Sequence, residues 1–304
     1  GVNALTALHI GSKDDEGLKR TVHTAVIICL AGGILITVFG ILFSHNILAL
    51  MNTKDELIDG AVLYLRIYLL GMPALGLYNF GNAVLSAAGD TKRPLYYLAF
   101  AGVVNVILNL FFVIVCHLGV AGVALASMIS QFISAFLILR ALLTGKEKYC
   151  LRLSEIRFDR RKAAGILQIG IPSAFQYSLF AIANLFVQSS VNSFDHVLVE
   201  GNSAAANADP LVYDMMAAFY TACSSFIAQN FGAKKKKRIL QTYLICLFYS
   251  FITSLVLGVG LYLARYPFLY LFTSDKAVVE AGITRLSIMA LSYSASAFMD
   301  ASIA

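Results

Sequence analysis

Three carboxylates stand inside stretches of sequence that are otherwise apolar: Asp209, Asp214 and Asp300. Placing a charge at the centre of a hydrocarbon layer costs about 2.5–3.5 kcal/mol on insertion scales. Such a side chain therefore binds a cation, pairs with a base or stays protonated. Alternation between the protonated and cation-bound forms exchanges one ion for another. These residues are therefore candidates for ion-linked chemistry.

The depth of each carboxylate in its predicted helix ranks the candidates. At 1.5 Å per residue, Asp209 lies about 9 Å and Asp214 about 16 Å from the outer helix end. Asp214 is nearest the midplane, so we predict that it is the ion-coupling carboxylate and that Asp209 supports it. Hard cations prefer oxygen ligands, and the amides of Asn184 and Gln188 complete a candidate Na⁺ site near Asp214. Asp300 lies near the opposite end of its own helix, where we interpret it as structural.

Uncharged polar side chains recur at helical spacing in the same apolar stretches. Four amides of one stretch follow at i, i+8, i+12 and i+16, and shorter amide stripes occur in the first half. An amide that faces lipid stays unpaired, so these faces are expected to point inward. Hydrogen bonding between helices and the lining of a central cavity both remain open as their role. Two tyrosines add ring faces that attract cations. The candidate cavity-lining residues are Gln176, Asn184, Gln188, Asn192, Asn79, Asn82, Asn105, Asn109, Tyr177 and Tyr213.

Familiar catalytic and metal-binding patterns are not found in the sequence. The five cysteines show no CxxC spacing, the five histidines form no HExxH motif, and no GxSxG is present. We therefore expect neither an enzyme nor a bound metal or cofactor, apart from Na⁺ or H⁺ as a coupling ion.

The composition places all of these residues in a membrane protein. Hydrophobic residues make up 59% of the chain and charged residues 13%, whereas soluble domains are about 45–50% apolar and about 25% charged. A bilayer crossing needs roughly 20 apolar residues. Four stretches carry no Lys, Arg, Asp or Glu, and each is longer than that: 21–53, 94–139, 163–194 and 239–264. The predicted fold class is therefore an all-α, polytopic membrane helical bundle, and the net charge of +6 does not indicate nucleic acid.

Apolar runs and Gly/Pro breaks divide the chain into nine predicted membrane segments. Eighteen of the 23 basic residues fall in one set of alternate loops and three in the other. Basic loops face the cytoplasm, so the chain is expected to be a multi-pass protein of the cell membrane, with Lys234–Arg238 as an inner loop that touches anionic lipid. Arg66 and Arg285 lie within helices, where we interpret them as anchors near the outer face. The segments are Gly1–Ile10, Thr21–Phe43, Leu57–Ala88, Pro94–Cys116, Val120–Leu143, Ala163–Phe194, Ser203–Phe231, Ile239–Tyr262 and Val278–Ala304.

The sequence also repeats internally. Ile10–Lys13 is similar to Phe231–Lys234, 221 residues later, and Arg66 falls on Arg285 after a two-residue gap. Because the offset spans six helices, both copies point the same way through the membrane, and such parallel repeats are typical of secondary transporters. We predict an N-terminal lobe over 1–144, a cytoplasmic linker over 145–162 and a C-terminal lobe over 163–304.

Four segments, in order, resemble the multidrug and toxic compound extrusion (MATE) family: Asn82–Pro94, Leu118–Gln131, Ile169–Gln176 and Phe226–Ala233. The resemblance implies twelve helices in two pseudo-symmetric six-helix lobes. It also implies export of small organic cations and drugs in antiport with Na⁺ or H⁺ by a monomer. Against that pattern, this chain would run as an interior fragment from the tail of helix 2 to helix 10. One branch of the family places a Glu in the seventh helix, whereas 163–194 contains no acidic residue.

An alternative within the same superfamily is a flippase for lipid-linked oligosaccharides. Such a protein needs a strongly cationic cavity to hold a pyrophosphate group. Arg140, at the end of its segment, is counted with the basic loop that follows, so Arg66 and Arg285 are the only Lys or Arg residues inside the membrane, which argues against the flippase.

Overall fold

The computed structural model describes residues 1–50, 55–191 and 193–303, and these residues are predominantly helical. They form two compact units, Gly1–Gln168 and Ile169–Ala304, and α7 contributes to both. The helices are α1 (Val2–Ser12), α2 (Asp15–Leu50), α3 (Asp55–Leu69), α4 (Met72–Ala87), α5 (Lys92–Leu110), α6 (Gly119–Thr144), α7 (Arg160–Val191), α8 (His196–Ala206), α9 (Ala208–Gly232), α10 (Lys236–Leu263), α11 (Arg265–Tyr270) and α12 (Lys276–Ile303).

The lengths of these helices confirm the predicted membrane fold. Seven helical stretches among the described residues are long and apolar enough to cross a bilayer, with α8 and α9 counted together. The pair α3 and α4, bent by 43° at its break, provides an eighth. The predicted segment Leu57–Ala88 is therefore two helices. Five residues at the end of the α5 segment, Phe111–Val115, form a π-helical turn.

Charged residues extend α2 beyond its predicted start at Thr21. The carboxylate of Asp14 accepts the Gly17 N–H at 2.9 Å, which satisfies an amide that the first helical turn leaves unpaired. Asp15 and Glu16 then place negative charge where the helix dipole favours it. The hydrogen bond from Gly17 is also the main reason that the pKa of Asp14 lies below its usual range.

The first unit has one hydrophobic core, formed mainly by α2, α4 and α6. Phe80, Leu85, Ile138 and Leu142 are almost completely buried in it. Ile166 of α7 and the loop residue Leu151 also belong to this core. The loop after α6 and the start of α7 are therefore part of the first unit. The predicted lobe boundaries at 144 and 163 stay a prediction.

Buried side chains of α2 form hydrogen bonds with the backbone of the loop between α6 and α7, residues 145–159. His23 accepts the Arg152 N–H through Nε2 at 3.1 Å, and its Nδ1 contacts the Lys19 carbonyl oxygen at 2.8 Å. Only the neutral tautomer with a proton on Nδ1 satisfies both contacts. The hydroxyl of Thr24 accepts the Asp159 N–H at 3.1 Å.

Asp159 then starts α7. Its carboxylate accepts the backbone N–H groups of Arg161 at 2.8 Å and Lys162 at 3.2 Å. These bonds, with that from Lys162 the larger contributor, hold the pKa of Asp159 below its usual range. The capped helix therefore begins at Arg160, three residues before the predicted start.

The two copies of the predicted repeat carry the same turn. Lys13 and Lys234 both have a φ of 57°, in the left-handed region that non-glycine residues rarely adopt. In each copy the next backbone N–H reaches back five residues, from Asp14 to His9 at 3.0 Å and from Lys235 to Asn230 at 2.9 Å. This local match supports the repeat, whose parallel orientation stays a prediction.

In the second unit, α10 packs against α9 and α12, and α12 also packs against α8. Two small clusters of buried side chains form its interior, one around Leu269 and Leu286 and one around Met216 and Tyr293. Both clusters include residues of α12, so this helix organises the unit.

We expect Thr24→Val to loosen the loop that follows α6. Thr24 is fully buried, and its loss leaves the Asp159 N–H unpaired, which costs about 1–3 kcal/mol. Tryptic cleavage in 145–162 should accelerate, and the midpoint of thermal unfolding should fall. Thr21→Val is the matched control, because Thr21 is equally buried and its hydroxyl has no hydrogen-bond partner among the described residues. Equal effects of the two substitutions would contradict the proposed anchoring.

Candidate functional site

An ion pair joins α9 and α12 in the second unit. The Nη2 atom of Arg285 donates to Oδ2 of Asp209 at 2.7 Å, and the hydroxyl of Tyr293 donates to Oδ1. Both oxygens of the carboxylate are therefore occupied. The Asp209 and Arg285 side chains are 21% and 26% exposed, so the pair is largely withdrawn from its surroundings.

Arg285 extends the same cluster to α8. Its Nη1 atom donates to the side-chain oxygen of Asn202 at 2.6 Å and to the carbonyl oxygen of Asn202 at 3.3 Å. One guanidinium thus joins three helices. Tyr293 is fully buried and meets the ring of Tyr213 edge-on, with 5.9 Å between the ring centroids.

Two glycines bring these helices close enough for the cluster to form. A Cβ atom on Gly201 would lie 2.6 Å from the Val278 carbonyl oxygen and 2.7 Å from the Gly282 nitrogen. Only glycine allows such a close backbone approach between α8 and α12. Asn202 follows Gly201 directly and Arg285 lies three residues after Gly282, so the close contact places donor next to acceptor.

Asp214 has a different environment from Asp209. It lies on an exposed part of α9 and forms no ion pair or hydrogen bond with any residue that the structure describes. Three and four residues further along α9, on the same helix face, stand the small exposed residues Ala217 and Ala218. Asp300 is half-buried on α12.

The predicted cavity-lining residues of the first unit bond within their own helices. Asn109 donates to the Asn105 side chain at 3.0 Å, and Asn82 accepts from Ser86 at 3.1 Å. Asn79 is exposed. These i, i+4 bonds satisfy part of the amide hydrogen-bonding capacity without a neighbouring helix. A cavity-lining role for these side chains stays a prediction.

The predicted polar face of α7 is open in the second unit. Asn184, Gln188 and Tyr177 are exposed, and Gln176 is half-buried. Asn192 lies outside the described residues. The described part of the chain contains no group of three or more His, Cys, Asp or Glu side chains suited to a metal ion. The Na⁺ site predicted near Asp214 stays a prediction.

Sequence reasoning did not find Asn202 and Tyr293, and it interpreted Arg285 only as an anchor. The spacing of Arg285 and Tyr293, eight residues apart, places them on one stripe of α12. That stripe was a signal for a polar contact within the bundle. No pattern in the sequence, however, assigns Asp209 as the partner.

Comparison with known proteins identifies the family of this chain. The MatE family profile matches residues 1–111 and 172–303. The chain belongs to the MATE family. Its sequence is 31% identical over 230 residues to the probable multidrug resistance protein YpnP of Bacillus subtilis, covering 75% of this chain. It is 27% identical over 302 residues to YoeA of the same organism, covering 96% of this chain.

Solved structures of MATE proteins share the fold. An outward-facing multidrug resistance MATE transporter superposes with a TM-score of 0.87 at 22% identity, over 99% of this chain and 69% of that chain. A MATE complex with MaD5 gives 0.90 at 22% identity, over 99% and 68%. This chain spans 51% of the length of YpnP and 65% of that of YoeA. The predicted family and multi-pass membrane character are confirmed, and the family is one of transporters, not enzymes.

We expect Asp209 and Arg285 to be energetically coupled. Asp209→Ala and Arg285→Ala each leave one charge without its partner, so each should destabilise the second unit. The double substitution should destabilise it by less than the sum of the two single effects. Equilibrium unfolding in mixed micelles should give a coupling energy of about 1–3 kcal/mol from the double-mutant cycle. Additive effects would show that the pair contributes nothing.

Gly201→Ala should separate α8 from α12. The new methyl group overlaps backbone atoms of α12, and such overpacking costs about 1–3 kcal/mol. Gly260→Ala on α10 is the matched control, since its Cβ would have no heavy atom within 4 Å, and alanine favours a helix by about 1 kcal/mol over glycine. Thermal unfolding should show a lower midpoint for the first variant only. A Gly201→Ala protein as stable as the control would contradict the close approach.

Proposed function

We propose that this protein is a secondary active exporter of small organic molecules, driven by Na⁺ or H⁺. One observation carries the proposal: within a family of transporters, Asp214 is a carboxylate in a membrane helix without a base or hydrogen-bond partner among the described residues. A carboxylate in that setting holds a cation or a proton. Exchange of one for the other is the elementary step of antiport.

The named relatives support the substrate class. YpnP and YoeA are both named probable multidrug resistance proteins. A relative from Shewanella oneidensis, 24% identical over 286 residues, is named an FAD transporter. All three names indicate small organic molecules. For this chain we propose cationic ones, because Asp214 carries negative charge and Tyr177 and Tyr213 expose aromatic faces that attract cations.

The two carboxylates of α9 receive different roles in this proposal. Asp209 is already neutralised by Arg285 and bonded by Tyr293, so it supports the arrangement of α8, α9 and α12. Asp214 has no such neutralising base and is the residue on which the coupling ion binds. Neutral oxygens, such as the exposed amide of Asn184, would complete the ligands of a Na⁺ ion.

The flippase alternative is not supported by the two intramembrane arginines. Arg285 is paired with Asp209, and Arg66 is exposed, donating to Ser44 at 2.9 Å. Neither adds uncompensated positive charge to the interior of its unit. We therefore retain the exporter, acting as a monomer in the lipid bilayer.

Asp214→Asn should abolish coupled efflux. The amide keeps the shape of the side chain but neither binds a proton at neutral pH nor attracts a cation strongly. Efflux of a fluorescent organic cation from proteoliposomes of the full-length protein, under separately imposed Na⁺ and proton gradients, measures the effect and identifies the ion. Asp195→Asn, at the exposed start of α8, is the matched control and should leave efflux unchanged. Native efflux by the Asp214→Asn protein would remove Asp214 from the mechanism.

A further inference from the structure

Five consecutive basic residues, Lys234–Arg238, form the turn before α10 and the first turn of that helix. All five are exposed, and no acidic side chain pairs with any of them in the part of the chain that the structure describes. Several bases elsewhere in the chain do have such partners: Arg20, Arg93 and Lys148 each pair with a carboxylate. Lys234–Arg238 is therefore a surface of uncompensated positive charge.

The internal repeat shows the same turn with its charge reversed. At the start of α2 the turn continues as Asp14–Glu16, and Asp14 caps the Gly17 N–H at 2.9 Å. At the equivalent positions around the start of α10 stand Lys235–Lys237. The first turn of α10 contains no acidic residue, and no side chain caps it.

This substitution of bases for acids is unfavourable for an isolated helix. The first N–H groups of a helix lack backbone acceptors, and the helix dipole places partial positive charge at the same end. At the start of α2, protein carboxylates balance that charge. At the start of α10 the side-chain cations of Lys235–Arg238 add to that positive charge. An anion from outside the chain would therefore stabilise this turn.

Apolar side chains continue directly from the basic cluster. Lys236, Leu240 and Leu244 follow at i, i+4 and i+8 on one face of α10, and the two leucines are 60% and 53% exposed. The helix Lys236–Leu263 is itself long and apolar enough to span a bilayer. The cations therefore lie at the membrane boundary, next to surface that favours hydrocarbon. A free phosphate matches only the cations, whereas a phospholipid matches both parts.

We propose that Lys234–Arg238, together with the Leu240–Leu244 face, binds an anionic phospholipid. Its phosphate lies beside Lys235–Lys237, where the other copy of the repeat carries the carboxylates of Asp14–Glu16. Its acyl chain lies along the exposed leucines. This surface is independent of the proposed transport site at Asp214.

The chain contains no tryptophan, so an introduced one reports on its surroundings alone. Leu244→Trp places the reporter on the proposed lipid face, and Val256→Trp, 64% exposed further along the same helix, places a second one away from it. Quenching by dibrominated phosphatidylglycerol, relative to dibrominated phosphatidylcholine, in reconstituted vesicles measures the preference for the anionic lipid. We expect a preference of about fivefold at position 244 and none at position 256.

Two variants with the Leu244→Trp reporter test the origin of the preference. Changing Lys235, Lys236 and Lys237 to Gln should abolish it. Changing Lys235 alone to Asp supplies the carboxylate that the other copy has at Asp14. This variant should weaken the preference and raise the thermal stability of the protein in phosphatidylcholine, which shows that it is folded.

The matched control removes three exposed bases that form no ion pair with a described residue: Lys146, Arg157 and Arg161, each changed to Gln. It should keep the native preference. The proposal is overturned if the native protein shows no preference at position 244, or if the control loses as much as the Lys235–Lys237 variant. Loss of the preference on adding inorganic phosphate at constant ionic strength would also overturn it, by assigning the cluster to a soluble anion.

Discussion

Holding charge away from water is costly, and this cost constrains every ionisable side chain within the apolar helices. Asp209 meets it by pairing with Arg285 and accepting from Tyr293. That solution requires α8, α9 and α12 to keep one register, since a shift of a single residue would leave two charges uncompensated. Asp214, five residues later, meets the cost with no partner in the described chain. Under the proposed function, one helix thus combines a carboxylate fixed in the fold with one that binds the coupling ion.

The two copies of the internal repeat share a backbone turn but differ in the charge of the side chains on it. The turns at Lys13 and Lys234 keep the same left-handed residue and the same backward hydrogen bond. Their side chains differ in sign over the next three positions. Arg66 and Arg285 likewise share a place in the repeat, but Arg66 bonds to a serine and Arg285 to a carboxylate. The same backbone turn therefore carries different electrostatics in its two copies.

Membrane helices were predictable from the sequence because a long run without charges has few other stable outcomes, and the family was predictable from four segments that resemble it. The starts of α2 and α7 were misplaced, since charged residues ended the apolar runs while Asp14 and Asp159 extended the helices by capping them. The pairing of Asp209 with Arg285 could not be predicted from the sequence. Periodicity identifies the faces of one helix but does not show which faces of two helices are in contact. Residue counting placed Arg285 near the outer end of its helix, and no sequence signal showed that glycines draw α8 against α12.

The balance of charge also determines which contacts stabilise the basic end of each unit. The loop after α6 is rich in bases, yet its backbone is bound by His23 and Thr24, and Asp159 and Glu155 pair with bases of α2. That end of the first unit is therefore held by protein. Lys234–Arg238 has no such acids, so its contacts depend on the bilayer. Ionic strength screens exposed charges over about 8–10 Å, and lipid composition sets the anions within reach. Changes in either should therefore act on the start of α10 far more than on the start of α2.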